Sequence, residues 1–165
     1  MSDVKPIPDG YPRVIPYLCV DGAAAAIDFM VEVFDATERM RMAMPDGKVG
    51  HAEVAIGDGL IMVSDEYPEM DVVGPQAFGG TAVTISVYVE DVDATYAKAV
   101  AAGAIAERPV ETHFYGDRSG MFVDPFGHRW NVSSHVEEVP PDEMARRSAE
   151  MFGEGAQREE AAQSG

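Results

Sequence analysis

Residues 115–131 read YGDRSGMFVDPFGHRWN, and the fold turns on how the middle of this stretch is read. Pro125 presets φ near about −65° and Gly127 accepts positive φ, so Asp-Pro-Phe-Gly predicts a hairpin turn joining the strands SGMFVD and RWNVSSH. Side chains alternate along a strand. Trp130, Val132 and Ser134 therefore share one face, while Arg129, Asn131, Ser133 and His135 share the other. Asp124 and Trp130 become structural on this reading. The far end of the same strand, YGDRSG, keeps two readings. Either Tyr115 and Arg118 stand at the mouth of a cup, or Asp117 and Arg118 stabilise a turn.

Working backward, VTISVYV (Val83 to Val89) has the composition of a strand. Val83, Ile85, Val87 and Val89 are assigned to a helix-covered face, and Thr84, Ser86 and Tyr88 to the opposite one. Glu-Asp-Val-Asp supplies acidic capping for a short helix, ATYAKAVAAGA, after which RPVETHF adds another strand. The second half thus reads βαβββ. The first half repeats that order. VIPYLCV (Val14 to Val20) is a strand, Asp21 a candidate N-cap, and AAAAIDFMVEVF a helix with Ile27, Met30, Val31 and Phe34 on one face. TERMRMAM, VGHAEVAI and LIMVSD follow as strands between Pro-Asp-Gly and Gly-Asp-Gly turns. VIPYLCVD aligns with VTISVYVE at an offset of 69 residues, and HAEVAIGDG with SGMFVDPFG at 68. A nearly constant offset marks an internal repeat.

The expected fold class is α+β: two βαβββ modules forming a curved mixed sheet, a half-barrel cup with helices on its outer face. The expected organisation is an N-terminal arm (1–12), module 1 (13–66), a linker (67–81), module 2 (82–136), then a C-terminal helix and disordered acidic tail (137–165), with disorder from Gly153 onward.

Paired βαβββ modules, with an acidic residue closing each first strand and Asp-Pro-x-Gly before the last, resemble the glyoxalase, bleomycin-resistance and extradiol-dioxygenase (vicinal oxygen chelate) superfamily. YGDRSG, DPFGHRW, IPYL and GHAE look most similar to a phosphonate-operon, demethylubiquinone-methyltransferase-like branch. The resemblance covers roughly residues 13–136 and implies a small-molecule cavity in the cup. Metal-dependent members of this superfamily place His or Gln and Glu at four inward positions. Carried across through the strand-end motifs, these fall on Ile15, Val63, Thr84 and Asn131. Isoleucine and valine cannot coordinate a metal, so the resemblance implies loss of the chelating quartet, and no metal or other cofactor is expected.

Other residues could serve the cup. His51 and Glu53 lie two apart on one strand, pointing the same way as an oriented general base or as the lining of a polar pocket; His135 faces the cup from the other module. His51, Glu53, Thr84, Ser86 and Asn131 are expected to line one cavity with a few convergent polar groups, the usual form of a small-molecule site. Tyr88, Tyr115 and Arg118 complete the expected ligand-binding set. His128 is expected outside the cup, and His113 has no assignable face. Cys19 reads as a buried strand residue. Met40, Met42 and Met44 alternate opposite Arg39 and Arg41, either as core or as the adaptable wall of a ligand pocket.

Composition narrows the function classes. Twelve Lys and Arg against 29 Asp and Glu give a net charge of −17, a field that repels phosphate backbones and anionic lipid, so nucleic acid is excluded as an expected partner. No apolar run reaches the ~20 residues of a membrane span, and the start shows no secretory signal. A single cysteine excludes an intrachain disulfide and suits a cytoplasmic setting. The expected protein is a homodimer that binds a small molecule, sequestering a natural product or antibiotic. The rival is a lyase, isomerase or dioxygenase of the same superfamily, metal-dependent or using His51 as general base.

Overall fold

The computed structural model describes the backbone of residues 4–163 and the side chains of residues 4–153. Module 1 runs β1 (Tyr17–Val20), α1 (Ala23–Phe34), β2 (Thr37–Ala43), β3 (Val49–Ile56) and β4 (Gly59–Asp65). Two short 3-10 turns, at Pro68–Met70 and Pro75–Phe78, occupy the linker. Module 2 repeats the order with β5 (Thr84–Tyr88), α2 (Val92–Ala101), β6 (Ile105–Thr112), β7 (Asp117–Val123) and β8 (Arg129–His135), and α3 (Pro141–Gln163) follows. The tail expected to be disordered lies, beyond Gly153, outside the described side chains. Each module forms a four-stranded mixed sheet, ordered β1-β4-β3-β2 and β5-β8-β7-β6. In each, the first strand runs parallel to the last and the other pairs are antiparallel. This is the expected α+β fold. The first strand is shorter than expected, starting at Tyr17 and leaving Val14 exposed.

One face of each sheet is covered by its helix. Ala23, Ala26, Ile27, Met30, Val33 and Phe34 of α1 are buried, whereas Val31, expected among them, is 41% exposed. The two helices pack against each other, which joins the modules into one core. Phe29 and Phe34 of α1 reach across to Phe122 of β7, with ring centroids 6.3 and 6.5 Å away. Trp130 is fully buried, as the alternation on β8 requires, and its indole N–H donates to Asp124 at 2.8 Å. Its ring lies 4.7 Å from Phe34 of the first helix, so module 1 supplies an aromatic wall to a side chain of module 2.

The two helix starts are held differently. Asp91 caps α2 locally, its side chain accepting from the Ala94 N–H at 2.9 Å. Asp21 does not cap α1. Gly22, with φ 95°, occupies that position, and the buried carboxylate of Asp65 accepts from both Gly22 N–H and Ala23 N–H at 2.9 Å. Its second oxygen accepts from Val49 N–H at 2.7 Å. A single side chain at the end of β4 thus ties together the start of α1 and the start of β3, and its negative charge sits at the helix's positive end.

A difference between the two hairpins resets the inherited positions. Ile56 pairs with Gly59 around a two-residue turn, whereas Asp124 N–H bonds to His128 across the three residues Pro125, Phe126 and Gly127. The extra residue changes the offset from 68 before the turn to 69 after it. Asn131, opposite Ser86, therefore corresponds to Met62, opposite Tyr17, and not to Val63. Val63 faces the helix and is fully buried. A one-residue slip along a strand exchanges its faces.

Candidate functional site

The open face of module 1 carries two rows of side chains across the strands. Tyr17, Met62, Glu53 and Met40 are successive cross-strand partners over β1, β4, β3 and β2. Beside them Cys19 pairs with Ser64, and His51 with Met42. Met40 and Met42 of β2 and Met44 just beyond it are 38–51% exposed, so the stripe is not core. Met42, Met44, Met70, Val72, Tyr17 and Tyr67 wall an open cavity of about 600 Å³. Met44 needs the missing side chain of Gly50 to lie there, since a Cβ at Gly50 would sit 2.8 Å from its sulfur.

A polar chain runs beside this cavity. Tyr17 OH lies 2.8 Å from His51 Nδ1, and His51 Nε2 lies 3.7 Å from Glu53 Oε1. The N-terminal arm closes over the carboxylate, with Tyr11 OH donating to Glu53 Oε1 at 2.8 Å. That bond raises the Tyr11 phenol above its ordinary pKa, with burial adding to the effect. Arg39 stacks over the Tyr11 ring, 5.3 Å from its centroid, and holds the arm against β2. Cys19, expected to be buried, is only partly covered and borders the cavity. Burial first, then the charges of Glu66 and Asp65, pushes its thiol pKa up. It is therefore protonated near neutral pH and a poor nucleophile.

The remaining sequence-predicted residues lie in module 2 and do not share the module 1 cavity. Thr84 lines a separate cavity of about 570 Å³ with Glu107, Arg108, Met121 and Arg129. Ser86 and Tyr88 border a groove beside the β3–β4 hairpin, and Asn131, opposite Ser86, donates to Ser133 Oγ at 3.2 Å. Arg118 turns away from the cup to α2, where it forms two bonds to Asp93 of 2.8 and 2.7 Å. Its neighbour Asp117 faces the cup instead. Asp117 accepts from Tyr88 OH at 2.6 Å and from His135 Nδ1 at 2.7 Å. These bonds lower the Asp117 pKa, and the Asp117 bond is the main cause that raises His135. His113 lies 2.7 Å from Ser119 Oγ and stacks on Tyr115, which places a residue that pattern alone could not assign. His128 leaves the hairpin to reach the Cys19 carbonyl at 3.2 Å, a contact between modules.

The donor set does not fit the divalent metal of the superfamily's metal-dependent members. With the turn correction the four inherited positions hold Ile15, Met62, Thr84 and Asn131, which offer no carboxylate or imidazole. Among the described residues, no three His, Cys, Asp or Glu side chains converge as a metal site. No described helix is long and apolar enough to cross a membrane.

A family model for the glyoxalase/bleomycin resistance protein/dioxygenase superfamily matches residues 13–132, both modules together. The chain belongs to this superfamily. An uncharacterized protein of Mycobacterium tuberculosis (strain ATCC 25618 / H37Rv) is 44% identical over 136 residues, covering 81% of this chain and 80% of that protein. The crystal structure of TioX from Micromonospora sp. ML1 is 27% identical, covers 76% of this chain and 99% of its own, and superposes with a TM-score of 0.59. A Bacillus cereus protein described as a putative 3-demethylubiquinone-9 3-methyltransferase, PhnB protein, is 18% identical. It covers 74% of this chain and 99% of its own at a TM-score of 0.61, and at that identity the likeness is one of fold.

Proposed function

We propose that this superfamily member binds a small, largely apolar molecule in the cup of module 1 without the chelated metal, sequestering a natural product or antibiotic. The observation that carries this reading is the cavity of about 600 Å³ walled by Met42, Met44 and Met70 and lined also by Tyr17, the residue at which the polar chain to Tyr11 begins. Thioethers repack around irregular apolar and aromatic surfaces at low cost, while a few fixed polar groups orient the ligand. The relatives in Mycobacterium and the TioX structure support the family and leave the ligand open.

The test uses Nile red, a neutral apolar probe, in a fluorescence titration. Wild type is expected to show saturable enhancement, and Met42→Glu with Met44→Glu to lose it without a change in melting temperature, because both side chains are exposed. Enhancement that is absent in wild type, or retained by the double variant, would defeat the reading. A second reading, an enzyme using His51 as general base, is favoured by Tyr17 and Glu53, which address the two imidazole nitrogens at 2.8 and 3.7 Å. One tightly held Ni, Zn, Fe or Mn per chain after chelator-free purification, lost on His51→Ala, would promote a metal-dependent form of that reading.

A further inference from the structure

Most described Lys and Arg side chains find a carboxylate, as a chain of net charge −17 makes easy. Lys5, Arg41, Lys98, Arg118, Arg129, Arg146 and Arg147 all make such pairs. Arg39 stacks on Tyr11, and Lys48 bonds to the Glu66 carbonyl over the Tyr67 ring. Arg13 and Arg108, both exposed, make no such pair, and Arg108 differs from Arg13 in its setting. It lines the module 2 cavity of about 570 Å³, and no described carboxylate lies within salt-bridge distance of it.

Its surroundings explain why the adjacent carboxylate does not serve it. A bulge in β6 between Ala106 and Arg108 turns Glu107 toward β8. There it takes Arg129 in a two-bonded pair of 2.6 and 2.9 Å, while the third Arg129 nitrogen donates to the Thr81 carbonyl at 3.0 Å. Glu107 is thereby fixed, its pKa lowered by the Arg129 bond. Arg108 pairs across the sheet with Met121, and its carbonyl accepts from Tyr96 OH at 3.0 Å, so its backbone is held while its exposed guanidinium makes no side-chain bond to a described residue and acts on Glu107 only through its charge.

We infer that this cavity is a second ligand site, separate from the module 1 cup, and that it takes an organic monocarboxylate on Arg108. A guanidinium presents two parallel N–H donors that match a carboxylate, the geometry Glu107 and Arg129 already show in the same cavity. Thr84 offers a hydroxyl to the anion, and Met121 offers a thioether to an apolar substituent. One unpaired positive charge balances a monoanion. A phosphate dianion would face the protein's net negative field with half its charge uncompensated.

Amide-resolved NMR titration with benzoate, its neutral isostere benzamide and inorganic phosphate tests the site. Benzoate is expected to shift the Thr84, Arg108 and Met121 amides saturably, with benzamide and phosphate at least about tenfold weaker. Arg108→Gln should weaken benzoate about tenfold or more, and Arg108→Lys should fall between, since a point charge replaces a fork. Neither variant should change the melting temperature, because the side chain has no partner to lose. Benzamide binding equal to benzoate, unchanged benzoate binding by Arg108→Gln, or benzoate shifts confined to module 1 would overturn the site. Tighter phosphate than benzoate would overturn the assigned ligand class. All these outcomes are separate from Nile red binding in the module 1 cup.

Discussion

Replacing Asp65 by alanine should destabilise the protein far more than the same change at Asp21, although Asp21 stands where a helix cap belongs in the sequence. The Asp65 carboxylate, 7% exposed, accepts from three backbone N–H groups, those of Gly22, Ala23 and Val49. Alanine leaves all three without this acceptor. A lost cap costs about 1 kcal/mol, and each buried donor left unsatisfied about 1–3 kcal/mol. Water can reach the part-buried Gly22 amide more easily than the buried Ala23 and Val49 amides, so the expected total is about 4 kcal/mol. Asp65→Asn keeps one acceptor oxygen and should lie about halfway. Urea unfolding read by Trp130 fluorescence provides the assay. With a urea slope of about 2 kcal/mol/M, the midpoint should fall by about 2 M for Asp65→Ala and by less than about 0.25 M for Asp21→Ala. Equal losses from the two alanines, or a loss below about 1 kcal/mol at Asp65, would refute the account of how α1 is started.

On β4, Val63→Ser should cost about 2–4 kcal/mol by burying a hydroxyl in a fully apolar site, whereas Met62→Ser should be nearly neutral. The opposite order in thermal melts would put the turn correction out of court. Trp130→Ala should cost about 3–5 kcal/mol through the cavity left against Phe34, while Asn131→Leu should leave the melt close to wild type. The reverse result would mean that β8 faces the other way. The His135 pKa is raised when folded, so its contribution is complete below the unfolded value of about 6.5 and fades as pH climbs through the folded pKa. Asp117 is lowered, so its contribution is complete above the unfolded carboxylate value and fades on acidification through its folded pKa. NMR titration of His135 should show its midpoint drop in Asp117→Asn, and an unchanged midpoint would deny the pairing.

The repeat, the strand order and most of the face assignments were legible because they rest on local periodicity, and periodicity is what a buried sheet face selects. Thr84, Ser86 and Asn131 fall on the open faces for that reason. What escaped is long-range or depends on one residue. Asp65 serves amides more than 40 positions away, so no cap pattern near Ala23 could point to it. The extra residue at Asp-Pro-Phe-Gly is invisible without the pairing register, and it moved one inherited position from Met62 to Val63. Arg118 and Asp117 exchange roles because the face of β7 near its start depends on where the turn after His113 ends. Hydrophobicity alone could not separate core from pocket for Met40, Met42 and Met44, since thioethers suit both. The free guanidinium of Arg108 had no sequence signal, because the bulge that takes Glu107 from it appears only in the paired strands.

The contact of Phe34 with Trp130 and Phe122 bears on what happens if the chain is cut between its halves. Severing the linker removes no core residue, yet neither fragment keeps a closed core, since module 2 lacks the rings that seal its two largest fully buried side chains. The halves are partners in one folding unit, and fragment complementation, with two pieces reassembling without a peptide bond, is the behaviour their shared aromatic seam implies.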